Sequence, residues 1–125
     1  MILASVSISL SQGIVEKDGF KFIFPDKGYE GTPLAFEVKL TEQITGEYNY
    51  RWNFGHNSQY NEFISNGKKY SFIYNDKKSQ LMGPKVEFTY PGQGRNNGFT
   101  VKVEIYKKNK LTTKITEYEA FIPVT

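Results

Sequence analysis

A two-layer, all-β sandwich of about seven to nine antiparallel strands with Greek-key connections is the fold this sequence predicts. Runs in which apolar and polar residues alternate with period two recur along its 125 residues, whereas helix-period patterning is nearly absent. Clusters of Gly, Pro, Asn and Asp separate those runs, as turns separate short strands. The third observation is Tyr50-Arg51-Trp52-Asn53-Phe54-Gly55, which carries the only tryptophan. Tyr48, Tyr50, Trp52 and Phe54 share one face of that strand, and Asn49, Arg51 and Asn53 share the other, which marks the centre of a core.

Each element follows from local pattern. Ala4, Val6, Ile8 and Leu10 alternate with Ser5, Ser7 and Ser9 as a half-buried strand, so residues 1–18 are expected to form an N-terminal strand or arm. Phe20 to Phe24 is a short strand ended by Pro25-Asp26-Lys27-Gly28, a turn cluster. Leu34, Phe36, Val38 and Leu40 then alternate with Ala35, Glu37 and Lys39, and Glu42 to Glu47 connects to the strand Tyr48–Phe54. The polar stretch His56 to Lys69 reads as a long loop, with Phe63 and Ile64 inside it. Tyr70 to Tyr74 is a strand turning at Asn75-Asp76-Lys77-Lys78. Val86, Phe88 and Tyr90 alternate before the turn-rich loop from Pro91 to Gly98. Phe99, Val101, Val103 and Ile105 face one way, and Thr100, Lys102, Glu104 and Tyr106 the other. The Lys107–Lys110 turn leads to a last strand over roughly Leu111 to Val124. The expected core comprises Phe36, Val38, Tyr50, Trp52, Phe54, Phe88, Tyr90, Val101 and Val103. Tyr90, just before a Pro-Gly corner, suits a structural tyrosine whose hydroxyl bonds back to the main chain.

Bulk properties exclude several classes. At 125 residues the chain is one domain, 1–125, large enough to bury a core without staples. It has no cysteine, which removes disulfides, thiolate metal sites and thiol nucleophiles. Sixteen basic against thirteen acidic residues give a net charge of +3, the balance of an ordinary solvated surface. Met1 to Leu10 lacks a basic region and its serines interrupt the apolar run, so it does not read as an export signal. No run reaches the length of a membrane span.

Trp52-Asn53-Phe54-Gly55-His56-Asn57 resembles the Trp-Asp-Phe-Gly-Asp-Gly motif of the polycystic kidney disease-type (PKD) domain, an immunoglobulin-like β-sandwich. Phe88-Thr89-Tyr90-Pro91-Gly92 is similar to that family's His-Thr-Tyr-like strand and Pro-Gly corner. Phe99-Thr100-Val101-Lys102-Val103-Glu104-Ile105 is similar to the alternating strand that follows, and Leu34-Ala35-Phe36-Glu37-Val38 to the second core strand. Asn53 and His56 stand where the family has aspartates, and Asn57 where it has glycine. The segment between Gly55 and Val86 is longer than the family's, with room for an extra hairpin. The resemblance implies an immunoglobulin-like sandwich and a non-catalytic role as spacer, adhesive surface or accessory module.

No catalytic, metal or cofactor motif stands out in the sequence. His56 is the single histidine and has no neighbouring carboxylate to orient it as a general base. Imidazole-based metal binding needs further ligands, and no second histidine or cysteine exists. Asp18, Asp26, Glu30 and Asp76 lie near turns without the dense spacing of a calcium loop. Gly92-Gln93-Gly94 does not open a helix and so is no phosphate cradle. Tyr70-Ser71-Phe72-Ile73-Tyr74 followed by Lys77-Lys78 has the composition of a base-stacking platform. With arginines limited to Arg51 and Arg95, nucleic acid is disfavoured as a partner.

What remains is a binding or structural protein. The expectation is a phage virion decoration or auxiliary capsid protein that attaches to an assembled protein lattice through a sheet face or the N-terminal strand. Loops 56–69 and 91–98 would then face outward. The alternative is a PKD-like spacer or glycan-binding module of a secreted or surface protein. Tyr60 and Phe63 are the candidate stacking residues, with Asn96 and Asn97 the candidate polar contacts. Phe63-Ile64 has a structural reading too, as a satellite cluster that tucks the long loop down.

Overall fold

A computed structural model describes the backbone of residues 12–55, 58–65, 68–74, 80–94 and 96–125, and the side chains of 12–55, 83–94 and 96–125. Ten strands and no helix occur among them: β1 Gln12–Lys17, β2 Phe20–Pro25, β3 Pro33–Leu40, β4 Tyr48–Asn53, β5 Ser58–Ser65, β6 Lys68–Tyr74, β7 Gln80–Met82, β8 Lys85–Thr89, β9 Gly98–Lys107 and β10 Lys114–Pro123. They form a six-stranded sheet in the order β1-β2-β3-β8-β5-β6 and a four-stranded sheet in the order β10-β9-β4-β7. The strand pairs are antiparallel, and one isolated bridge, Gly28 with Val124, is parallel.

The fold is the all-β sandwich expected, with two local corrections. The stretch His56 to Lys69 is not one long loop, because Ser58–Ser65 is strand β5. Its polar composition hides it, since strand formation here depends on neighbours: β5 lies between β6 and β8, with Phe63 opposite Phe88 in register. Tyr60 and Phe63 therefore belong to a strand rather than to a loop, and their side chains lie outside the described residues. The last strand starts at Lys114 rather than near Leu111, after the turn that Asn109 makes at φ 63°. The strand expected at Ala4–Leu10 lies outside the described residues, and β1 starts at Gln12.

The β1–β2 hairpin has a local cause. Asp18 and Gly19 hold φ 53° and 85°, the two positive values of a type I′ turn, whose twist matches that of the flanking strands. Thr116 Oγ1, on β10, donates to Asp18 Oδ2 at 2.6 Å, and Lys17 Nζ donates to Glu117 O at 2.8 Å. The hairpin is thereby tied to the opposite sheet.

Between the sheets lies an aromatic core. Phe20, Phe22, Phe24, Leu34, Phe36, Val38, Val86 and Phe88 enter it from the larger sheet, and Tyr50, Trp52, Val101, Val103, Ile105 and Ile122 from the smaller. Trp52 is fully buried, with its ring centroid 5.9 Å from Phe24 and 6.2 Å from Phe36 across the interface. Its Nε1 donates to Gly83 O at 3.0 Å, so its one polar group is satisfied. Each such large side chain contributes about 1.5–3 kcal/mol by burial.

The outer face of the smaller sheet is charged and interlocked. Lys102 and Glu117 pair at 3.0 Å, Lys114 and Glu104 at 3.6 Å, and Lys114 also bonds Glu117. Hydrogen bonds from Lys114 and then Lys102 hold the Glu117 carboxyl down to about 2. Tyr106, on this outer face by pattern, is nonetheless buried: the Arg51 guanidinium lies 5.3 Å from its ring centroid.

Candidate binding surface

One end of the sandwich is built by three converging segments: the β2–β3 connection 26–32, residues 90–94 and 96–97 of the β8–β9 connection, and residues 121–125. Tyr90 anchors them. It is fully buried, its hydroxyl donates to Phe54 O at 2.5 Å, and its ring stacks on Phe99 at 4.1 Å. This is the structural role that its place before the Pro-Gly corner suggests. Tyr90 O accepts from Gly31 N at 2.8 Å, which pins the neighbouring connection to the same residue.

Main-chain bonds then lace the end together. Gly28 N donates to Pro123 O at 2.8 Å, Thr125 N to Gly28 O at 3.1 Å, and Glu30 N to Thr125 O at 3.0 Å. Val124 N donates to Asn97 O at 2.9 Å, with Asn97 in the left-handed region at φ 57°. Asparagine tolerates that conformation better than most side chains do. Gly98 has a packing reason as well: a Cβ there would fall 2.5 Å from Ile122 O and from the Phe121 ring. The Phe121 ring thus lies across Gly98, directly beside Asn97.

The corner beneath is set by Gly55. It holds φ 70°, and a Cβ would sit 2.5 Å from Thr100 O. Asn53 Oδ1 accepts from Gly55 N at 2.8 Å, an Asx-type bond that fixes the turn out of β4.

On this frame sit the exposed groups. Tyr29, on the β2–β3 connection, is 41% exposed and Phe121, on β10, 49%, while Asn96 and Asn97 are exposed polar residues of the β8–β9 connection. The structure therefore places Asn96 and Asn97 at an ordered end together with two aromatics that sequence reading did not single out. Tyr29 follows a turn cluster and Phe121 sits in a strand pattern, so neither carries a signal of exposure; the parallel Gly28–Val124 bridge and the main-chain bonds around it join their segments. Half-exposed rings offer stacking and apolar contact, and side-chain amides both donate and accept. This is contact chemistry. Among the described residues no three of His, Cys, Asp or Glu are grouped so as to hold a metal ion.

No family model matches the chain, and no curated protein matches it. Among solved structures it is similar to a conjugative transposon lipoprotein from Bacteroides eggerthii DSM 20697. The two are 14% identical, with a TM-score of 0.48, over 89% of this chain and 93% of that one.

Proposed function

We propose that this chain is a non-catalytic structural and binding module, a decoration or auxiliary protein that docks onto an assembled protein lattice such as a phage capsid. The supporting observation is the end of the sandwich carrying Tyr29, Asn96, Asn97 and Phe121. Its groups are presented by main chain bonded to the core strands, so little ordering entropy remains to be lost on docking. Exposed aromatics together with polar groups are the composition of protein-binding surfaces. A lattice multiplies such a contact over many copies, so a modest single-site affinity suffices.

Cosedimentation of the purified protein with assembled capsids and with unassembled capsid subunits from its native host tests the reading. Saturable binding to the assembled shell, and none to free subunits, is expected. Absence of binding to any shell from that host would refute it.

A second reading has its own support. A half-exposed tyrosine and exposed asparagines are also the chemistry of sugar recognition, as in a PKD-like glycan-binding module of a surface or secreted protein. A glycan array in which wild type binds a sugar and Tyr29→Ala does not would favour this alternative over the lattice.

A further inference from the structure

We propose that the outer edge of β1 is a self-association surface on which a second copy of this chain pairs its own β1 antiparallel, joining two six-stranded sheets across a two-fold axis. The inference does not rest on the function proposed above, since it concerns a different part of the molecule.

β1 is the end strand of its sheet, and among the described residues no strand lies on its outer side. The phase of its main-chain groups follows from the turn. A two-residue hairpin closes on a hydrogen-bonded pair, Lys17 with Phe20, so Val15 with Phe22 and Gly13 with Phe24 are bonded pairs too. The N–H and C=O groups of Gln12, Ile14 and Glu16 consequently point away from β2, toward the open edge. Edge strands are commonly blunted by proline, bulges or inward charges. β1 pairs with β2 in continuous register and contains no proline, and its one charge on the core side, Lys17, is engaged by Glu117 O. Ile14 is 59% exposed and Val15 37%. The edge is also held in place, through Lys17 on Glu117 O and Asp18 on Thr116.

The segment is self-complementary in one register. With Ile14 opposite Ile14 of the second copy, Gln12 faces Glu16 and Glu16 faces Gln12, so each carboxylate meets an amide donor. The bonded pairs of this register all come from the outward-pointing set, and they alternate with non-bonded pairs as an antiparallel ladder requires. On the inner face Val15 lies opposite Gly13, where the missing side chain leaves room for its methyl groups. Sliding one copy by two residues loses the Ile14–Ile14 contact, setting Ile14 against the Glu16 carboxylate in one direction and the Gln12 amide in the other, and sliding it further in the first direction sets Glu16 against Glu16, which repel. The Glu16–Lys21 pair, at 3.8 Å and exposed, is compatible with the match. Both edges of the smaller sheet are less suited. β7 spans only Gln80–Met82, and the end of β10 is already covered by Gly28–Glu30.

Sedimentation equilibrium over a wide concentration range is the test, with wild type compared to Ile14→Pro. That substitution removes one outward N–H and leaves the β1–β2 ladder intact. Ile14→Lys is a second variant that keeps the backbone donor. Wild type is expected to rise from 14.4 kDa toward twice that mass, and both variants to stay monomeric with unchanged melting temperature. Register is read by Ile14→Cys in a glutathione redox buffer, because facing Cα atoms of a bonded pair are about 5.5 Å apart, within disulfide reach. A covalent dimer is expected for Ile14→Cys and not for Lys21→Cys. Wild type that remains at monomer mass at every concentration overturns the proposal, as does a dimer that both variants retain or an Ile14→Cys protein that never bridges.

Discussion

Tyr90→Phe and Tyr48→Phe make the same chemical change at two hydroxyls that each donate to a main-chain carbonyl, and they should differ sharply in effect. The Tyr90 hydroxyl is fully buried, 2.5 Å from Phe54 O, and ties β8 to the corner after β4. Tyr48 donates to Thr45 O at 2.8 Å from an exposed position, three residues along the chain. When a buried donor is deleted, the acceptor keeps its desolvation cost, and the loss is about 1–3 kcal/mol. At an exposed site water replaces the lost partner, leaving about 0.5 kcal/mol or less. For a domain of this size about 1 kcal/mol corresponds to roughly 3–5 °C in melting temperature. Tyr90→Phe should thus melt roughly 3–15 °C below wild type, and Tyr48→Phe within about 2 °C of it. Thermal unfolding followed by circular dichroism, with urea midpoints as a second probe, measures both. Equal shifts for the two variants, or a Tyr90→Phe melt indistinguishable from wild type, would refute the anchoring role of the buried hydroxyl.

Three further outcomes follow from the same geometry. Gly55→Ala must place a Cβ 2.5 Å from Thr100 O at φ 70°, whereas Gly31→Ala, at φ 75°, meets open space. The first should cost at least about 2 kcal/mol and the second about 1 kcal/mol, both read from urea midpoints. Trp52→Phe removes the Nε1 bond to Gly83 O and leaves a void among Phe24, Phe36 and Phe54. It should destabilise by about 2–4 kcal/mol, measured by chemical denaturation. Glu117 titrates at about 2 in the fold against 4.5 when free, so its stabilising contribution is full above about 4.5 and fades as pH falls toward 2. Its side chain is 34% exposed, and solvent screening keeps that contribution below about 1 kcal/mol. Glu117→Gln should flatten the melting temperature profile over that window, and an unchanged acid slope would remove the carboxylate from the explanation.

The core was legible because it obeys one rule, alternation about a strand. Phe36, Val38, Tyr50, Trp52, Phe54, Phe88, Tyr90, Val101 and Val103 are all buried. Tyr106 escaped the same rule, since its burial comes from Arg51 folding over an outward face rather than from the interior. Asp18-Gly19 is a readable hairpin signal, but Gln12–Lys17 before it lacks the clean alternation that residues 4–10 show. β5 was not legible, because a polar strand is specified by the partners on either side of it. Asn96 and Asn97 could be recognised as exposed turn residues. Their neighbours Tyr29 and Phe121 could not, since they are joined to that end by a bridge between positions 96 residues apart, Gly28 and Val124. Sequence spacing carries no trace of such a contact.

The claim that the Tyr29–Phe121 end is the docking surface is tested most directly by one comparison. Assembled capsids from the native host are cosedimented with wild type and with a Tyr29→Ser, Phe121→Ser double variant. Both side chains are substantially exposed, so the variant should keep the wild-type melting temperature within about 3 °C. Saturable binding by wild type and its loss in the variant is the predicted result. Equal binding by the two proteins, or none by either, would contradict it.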